Sequence, residues 1–122
     1  MRAIVNTRPG GPEVLELQDR PTPEPGLGQV RVRVRASALN RADLSQRMGN
    51  YPAPPGSPAD IPGMEYAGEV DAVGTGSTMW PVGTRVMGII GGGAHAEYVC
   101  VHEREVLPIP DDLSFEEAAA IP

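Results

Sequence analysis

The chain has 122 residues, 40% of them hydrophobic and 21% charged, which suits a single soluble globular domain. Its formal net charge is −6 and all of its 10 cations are arginines, so an acidic surface with scattered guanidinium groups is expected, a poor match for a nucleic-acid backbone. No apolar run approaches the 18 or so residues of a bilayer span, the start MRAIVNTRPGG lacks a secretory leader's apolar stretch, and the one cysteine, Cys100, cannot close an internal disulfide, so a reducing, cytoplasmic setting is expected.

The chain carries 15 glycines and 14 prolines, nearly a quarter of its length. They punctuate short alternating apolar segments, which is the pattern of turns between strands. Residues 2–6 read as a first strand and 13–19 as its hairpin partner, separated by Pro9-Gly10-Gly11-Pro12. Residues 29–36 give the clearest strand: Val30, Val32, Val34 and Ala36 share one face, while Arg31, Arg33 and Arg35 share the other, read as a solvated sheet face. Asn40 is placed to cap a short helix that Gly49 ends, with Leu44 and Met48 on one side. Residues 52–63 form a proline-rich loop of the kind that shapes a pocket rim. Further strands are expected at 64–73, 84–90, 96–102 and 106–109. Ser114 and Glu117 make a capping box for a final helix that Pro122 leaves cut short. The sum is a mainly β domain with short helices, a barrel or partly open β-structure.

Most motif-like stretches do not carry chemistry. Gly74-Thr75-Gly76 follows a strand, but Met79 stands where a third glycine belongs and no helix begins, so it reads as a β-turn and not a dinucleotide fingerprint. Gly91-Gly92-Gly93 either lets a ligand approach the backbone or is simply a flexible loop. His95, Glu97, Cys100 and His102 are the one group of soft ligands, read as a packed thiol beside a surface imidazole because no second cysteine exists. The serines Ser37, Ser45, Ser57, Ser77 and Ser114 have no sequence-local histidine, and there is no nucleophile elbow. Tyr51, at the junction of the short helix and the proline-rich loop, has two readings: a phenol that orients or protonates a bound carbonyl, or a ring packed on prolines with its hydroxyl in water.

Three stretches together carry a resemblance: Ala36 to Leu44 (ASALNRADL), Pro62 to Val70 (PGMEYAGEV) and Gly91 to Val99 (GGGAHAEYV), supported by Val82 to Val86 and Glu117 to Pro122. The sequence resembles the N-terminal GroES-like domain of the medium-chain dehydrogenase/reductase superfamily. Within it, the match is to the zinc-independent quinone oxidoreductase branch, especially the p53-inducible quinone oxidoreductase-like reductases. The resemblance implies a GroES-like, partly open β-barrel over residues 1–122, without the family's Rossmann domain. It implies hydride transfer from NADPH to a quinone or activated enone. Asn40, Arg41 and Asp43 then border the nicotinamide end of the cofactor, Tyr51 acts catalytically and lines the substrate pocket, and Met64 forms an apolar wall. In zinc-dependent relatives a Cys and a His stand where this chain has Asn40 and Met64, so no metal is expected. The isolated chain is expected to be inactive, a substrate-side part that needs a Rossmann domain in cis or on a separate chain, with a homodimer at full length. The alternatives are a non-enzymatic GroES-like assembly module and half of an enoyl reductase.

Overall fold

A computed structural model describes all residues, 1–122. The strands are β1 (Arg2–Asn6), β2 (Leu15–Asp19), β3 (Gln29–Ala38), β4 (Glu65–Val73), β5 (Arg85–Ile89), β6 (Tyr98–His102) and β7 (Val106–Pro108). Two short helices, α1 (Arg41–Arg47) and α2 (Phe115–Ala119), complete the fold. β1 and β2 form an antiparallel hairpin, and the other five strands form one antiparallel sheet in the order β6-β3-β4-β5-β7. The hairpin joins the sheet through a bridge between Ala3 and Ala96 and through bonds from Ile4 N–H to His95 O (2.9 Å) and Glu97 N–H to Arg2 O (3.1 Å). This is the mainly β, short-helix architecture that the alternating pattern predicts.

The expected strand at 13–19 starts two residues late. Pro12 opens a single turn of 3-10 helix through Val14, whose carbonyl receives both Thr7 N–H (3.0 Å) and the Thr7 hydroxyl (2.8 Å). Val14 is 1% exposed, so burying its side chain overrides strand geometry there.

β3 is the spine of the sheet, paired on both sides by β4 and β6. Val30 and Val32 are fully buried, but bulges after Arg31 and Val34 turn the strand, leaving Val34 and Ala36 half-buried. The arginine face is only partly solvated. Arg33 and Arg35 are exposed, whereas Arg31 lies over the Tyr98 ring (5.3 Å) and holds Asp71 through Nε at 2.8 Å and Nη2 at 3.3 Å. Gly68 is the closest approach of β3 and β4: a Cβ there would run into the carbonyl of Arg33.

Three apolar clusters hold the domain. The largest gathers Val30, Val32, Tyr66, Val70, Val86, Val99, Val101 and Val106 inside the curved sheet. The second seats α2 by Ala118 and Ala119 on Ala67, Met87 and Ile109. The third joins Ala3 and Val5 of β1 to Ile61. α2 begins at the expected capping box, Glu117 N–H to Ser114 Oγ and Ser114 N–H to Glu117 Oε2, both 3.1 Å. By contrast, Leu44 and Met48 do not bury a helix face: they are 48% and 46% exposed, and the buried residue of α1 is Asp43.

Glu103 anchors the far end of the barrel. Its Oε2 accepts from the Ser77 hydroxyl (2.8 Å) and from Thr78 and Met79 N–H (2.8 and 3.0 Å), while its carbonyl accepts from Trp80 Nε1 (2.6 Å). The Met79 and Ser77 bonds hold its carboxyl below the usual range. The stabilisation is therefore complete above the unfolded-state pKa and lost as pH falls through the folded one. Glu103→Gln should lower the thermal midpoint at about pH 7, with the gap to wild type closing as pH falls below the usual carboxylate range. Tyr66 gives the opposite case. Its hydroxyl is buried against Gly88 without a hydrogen-bond partner. Tyr66→Phe should therefore stabilise the domain, by about 1 kcal/mol in denaturant unfolding, whereas truncation of a well-bonded tyrosine would cost stability.

Candidate functional site

The β3–α1 junction brings Asn40 and Asp43 together with Glu65 of β4. Asn40 caps α1 from an extended backbone, its N–H donating to Asp43 Oδ2 at 2.8 Å, and Asp43 N–H donates back to the Asn40 carbonyl at 3.0 Å. The Asn40 side chain reaches across to β4, where Nδ2 donates to Glu65 Oε2 at 2.7 Å. Both carboxylates are nearly enclosed, Asp43 at 8% and Glu65 at 7% exposure. A buried carboxylate is tolerated only where donors meet it, and here the donors come from Asn40.

A fourth member comes from the loop before β6. His95 Nδ1 lies 3.1 Å from the Ser37 hydroxyl and Nε2 lies 3.5 Å from Asp43 Oδ2. The ring fits because residue 63 is glycine: at φ +106°, a Cβ there would stand 2.7 Å from Nδ1. Sequence spacing did not bring His95 to Ser37, which is 58 residues away. The signal that could have found the pair is Gly63 itself, a glycine just before an apolar strand where no turn is needed. A hydrolytic triad is not formed. The imidazole presents its nitrogens in the reverse sense, and the nearby loop amides are spent, Ala94 N–H on Gly63 O (3.0 Å) and His95 N–H on Pro62 O (3.0 Å).

The chain also has a cavity of about 780 Å³, which no member of this cluster lines; Met64, the residue before Glu65, is its nearest lining residue in sequence. Met64, Ile90 and the Gly91–Gly93 loop form one wall, and Pro54 and Pro58 of the proline-rich loop form another. The three glycines are not slack: Gly91 lies against Pro54 and Gly93 against Pro58, and Gln46 Nε2 of α1 donates to Gly91 O at 2.7 Å. They permit close loop packing, which is neither of the two readings of that stretch. Cys100 and His102 reach the same cavity from β6. Burial pushes the Cys100 thiol up to about 11, so it is a packed thiol and not a nucleophile.

Other predicted residues sit apart. Arg41 is exposed, and its guanidinium takes part in no ion pair of the chain. Tyr51 is 45% exposed and borders a separate recess of about 30 Å³ with Asn6, Gln46 and Pro62, so Tyr51 and Met64 do not share one pocket within this chain. No three His, Cys, Asp or Glu side chains converge as metal ligands, and no helix is long and apolar enough to cross a membrane.

Comparison with known proteins bears on this geometry. Residues 26–111 match the family described as alcohol dehydrogenase GroES-like domain. The chain is 43% identical over its whole length to the mouse synaptic vesicle membrane protein VAT-1 homolog-like, covering 29% of that protein. It is 48% identical over 92% of its length to a quinone oxidoreductase of Pseudomonas aeruginosa, covering 34% of it. Among solved structures, the Escherichia coli quinone oxidoreductase complexed with NADPH superposes with a TM-score of 0.89 at 31% identity, over 99% of this chain and 37% of that one. The chain thus spans about a third of the length of the curated relatives it matches.

Asp43 is the residue on which the cluster turns. Asp43→Ala should cost about 2 kcal/mol, the worth of a hydrogen bond to a charged group. Hydrogen exchange at the Asn40 amide should accelerate in the same variant, read by NMR.

Proposed function

We propose that this chain, which belongs to the alcohol dehydrogenase GroES-like domain family, stands in the quinone oxidoreductase branch of the medium-chain dehydrogenase/reductase superfamily and forms the substrate-side wall of an NADPH-dependent reductase of quinones or activated enones. The observation that carries this reading is the Asn40–Asp43–Glu65 knot, a rigid polar group whose Glu65 follows directly on Met64, a residue lining a cavity of mixed polar and apolar character: a polar edge one residue from that apolar side chain suits a flat acceptor with carbonyl oxygens.

The residues fit the nicotinamide end of such a cofactor in part. Arg41 is the free cation at the edge, suited to meet a phosphate or the acceptor's oxygen. Asn40 would hydrogen-bond cofactor or substrate, held in place by the two carboxylates. Asp43 works from beneath, because it is enclosed and spends Oδ2 on the Asn40 amide. The pyrophosphate has no strand–glycine–helix turn to hold it here, so that part of the cofactor belongs to a Rossmann domain, in cis or on a separate chain. When bound, NADPH supplies the hydride. Tyr51, exposed at the rim, is free to turn toward an acceptor oxygen and share its proton.

The reading uses no zinc. Asn40 directs its amide N–H at Glu65, which leaves it a hydrogen-bond donor and not a ligand, and Met64 offers a thioether where the zinc-dependent relatives use imidazole. Without a Lewis acid, the acceptor has to be electrophilic already, which is the property of quinones and activated enones. We further read the full-length protein as a cytoplasmic homodimer.

The test is the loss of NADPH absorbance with an ortho-quinone, under metal-free conditions, in the full-length protein that carries this domain. Tyr51→Phe and Asn40→Ala should each lower turnover by roughly tenfold or more, toward the lower end of general acid–base effects. Unchanged kinetics in both variants, or activity that depends on stoichiometric zinc, would sink the assignment.

A further inference from the structure

His95 is a nearly enclosed imidazole for which the reaction above has no use. Its side chain is 12% exposed and that of Asp43 is 9%, and neither His95 Nε2 nor Asp43 Oδ1 has a hydrogen-bond partner. We propose that His95 is the positioning residue of the site: it takes up and releases a proton at Nδ1 through Ser37, and the charge it gains or loses is read by Asp43 and so by Asn40.

The argument rests on the two faces of the ring. On the inner face, Nε2 points at the Asp43 carboxylate 3.5 Å away, a neighbour that selects the tautomer with its proton on Nε2. The outer face has a hydroxyl, Ser37 Oγ at 3.1 Å, on an exposed residue. A hydroxyl donates to the bare Nδ1 of a neutral ring and, by rotating, accepts from the N–H of a charged one. The ring therefore changes charge without losing its Ser37 bond, and the proton enters from the solvent side while the Nε2 proton stays in place. Gly63 fixes the ring from below, and the backbone is clamped by His95 N–H to Pro62 O (3.0 Å) and Ile4 N–H to His95 O (2.9 Å).

The charge has one direct reader. Asp43, on α1, is the single carboxylate in ion-pair range of His95. From β4, Glu65 is coupled through Asn40, and the Arg2–Glu97 pair (3.6 Å) lies two residues along on the β1 side. Asp43 Oδ2 accepts the Asn40 N–H at 2.8 Å and lies 3.5 Å from His95 Nε2 without a hydrogen bond to it, so a ring that becomes positive draws on the same oxygen that fixes Asn40. The inference deepens the function proposed above, because Asn40 is the residue being positioned. It calls for no chemical step by His95 itself.

NMR spectra of the full chain, recorded across the histidine range of pH without substrate, test this. The neutral His95 ring should carry its proton on Nε2, and the Asn40 backbone amide should shift with the midpoint of the His95 ring. His95→Gln keeps a donor toward Asp43 and an acceptor toward Ser37 but cannot titrate: it should abolish the Asn40 step while Asn40 stays protected from exchange. His95→Ala should lose both. Ser37→Ala, at an exposed position that leaves the fold intact, should move the ring midpoint and carry the Asn40 step with it. A neutral ring protonated on Nδ1, an Asn40 step surviving in His95→Gln, or a ring midpoint indifferent to Ser37→Ala would overturn the proposal. These spectra need no turnover, so a protein that reduces no quinone refutes the proposed function and leaves this inference to be judged separately.

Discussion

Enclosed carboxylates need donors, and this small domain spends three of them on holding its loops. Asp43 ties α1 to its own start, Glu65 ties β4 to the same point through Asn40, and Glu103 ties the 74–80 loop to the end of β6. The apolar clusters supply the bulk of the burial, but they sit within the curved sheet and under α2. Loops that wander from those clusters gain little from them. A carboxylate with two or three donors fixes a loop in one geometry, since leaving it unpaired costs more than the bonds themselves contribute. The wall of the proposed site is made of such loops, so its shape follows from where the carboxylates are met.

The sequence was most informative where contacts are local and least where they are not. The alternation of Val and Arg in 29–36, the capping box at Ser114 and Glu117, and the Gly/Pro turns each express physics acting within a few residues, and all appear in the structure. The start of β2 was obscured because Val14 finds its burial in a turn, a preference that strand propensity does not register. Leu44 and Met48 have helical spacing, yet spacing alone does not say whether anything covers them, and within this chain nothing does. The Ser37–His95–Asp43 cluster was out of reach. Its members come from β3, α1 and the loop before β6, and only folding brings His95 to within 3.1 Å of the Ser37 hydroxyl and 3.5 Å of the Asp43 carboxylate. The resemblance to a family supplied Asn40 as a candidate; its carboxylate partners explain why an asparagine is stable at that place.

The proposed site is layered by how firmly its residues are held. β3 and β4 give it a rigid base, and Gly68 lets them approach closely enough to leave no play. Arg41 and Tyr51 are exposed, Arg41 in no ion pair and Tyr51 at its own small recess. Between base and rim lies the bonded layer of Asn40, Asp43, Glu65 and His95. Such layering lets one part of a site adapt to a ligand while another holds a fixed distance.

The all-arginine composition has a chemical consequence for a domain that is proposed to face quinones. Quinones arylate proteins by conjugate addition, and the side chains that they capture most readily are lysine amines and cysteine thiolates. This chain has no lysine, and guanidinium groups remain protonated and poorly nucleophilic. Its one thiol, Cys100, borders the cavity with its ionisation pushed up to about 11 by burial, so it is held as the thiol at neutral pH. This domain therefore brings no lysine amine to such an electrophile, and burial keeps its one thiol in the less reactive form.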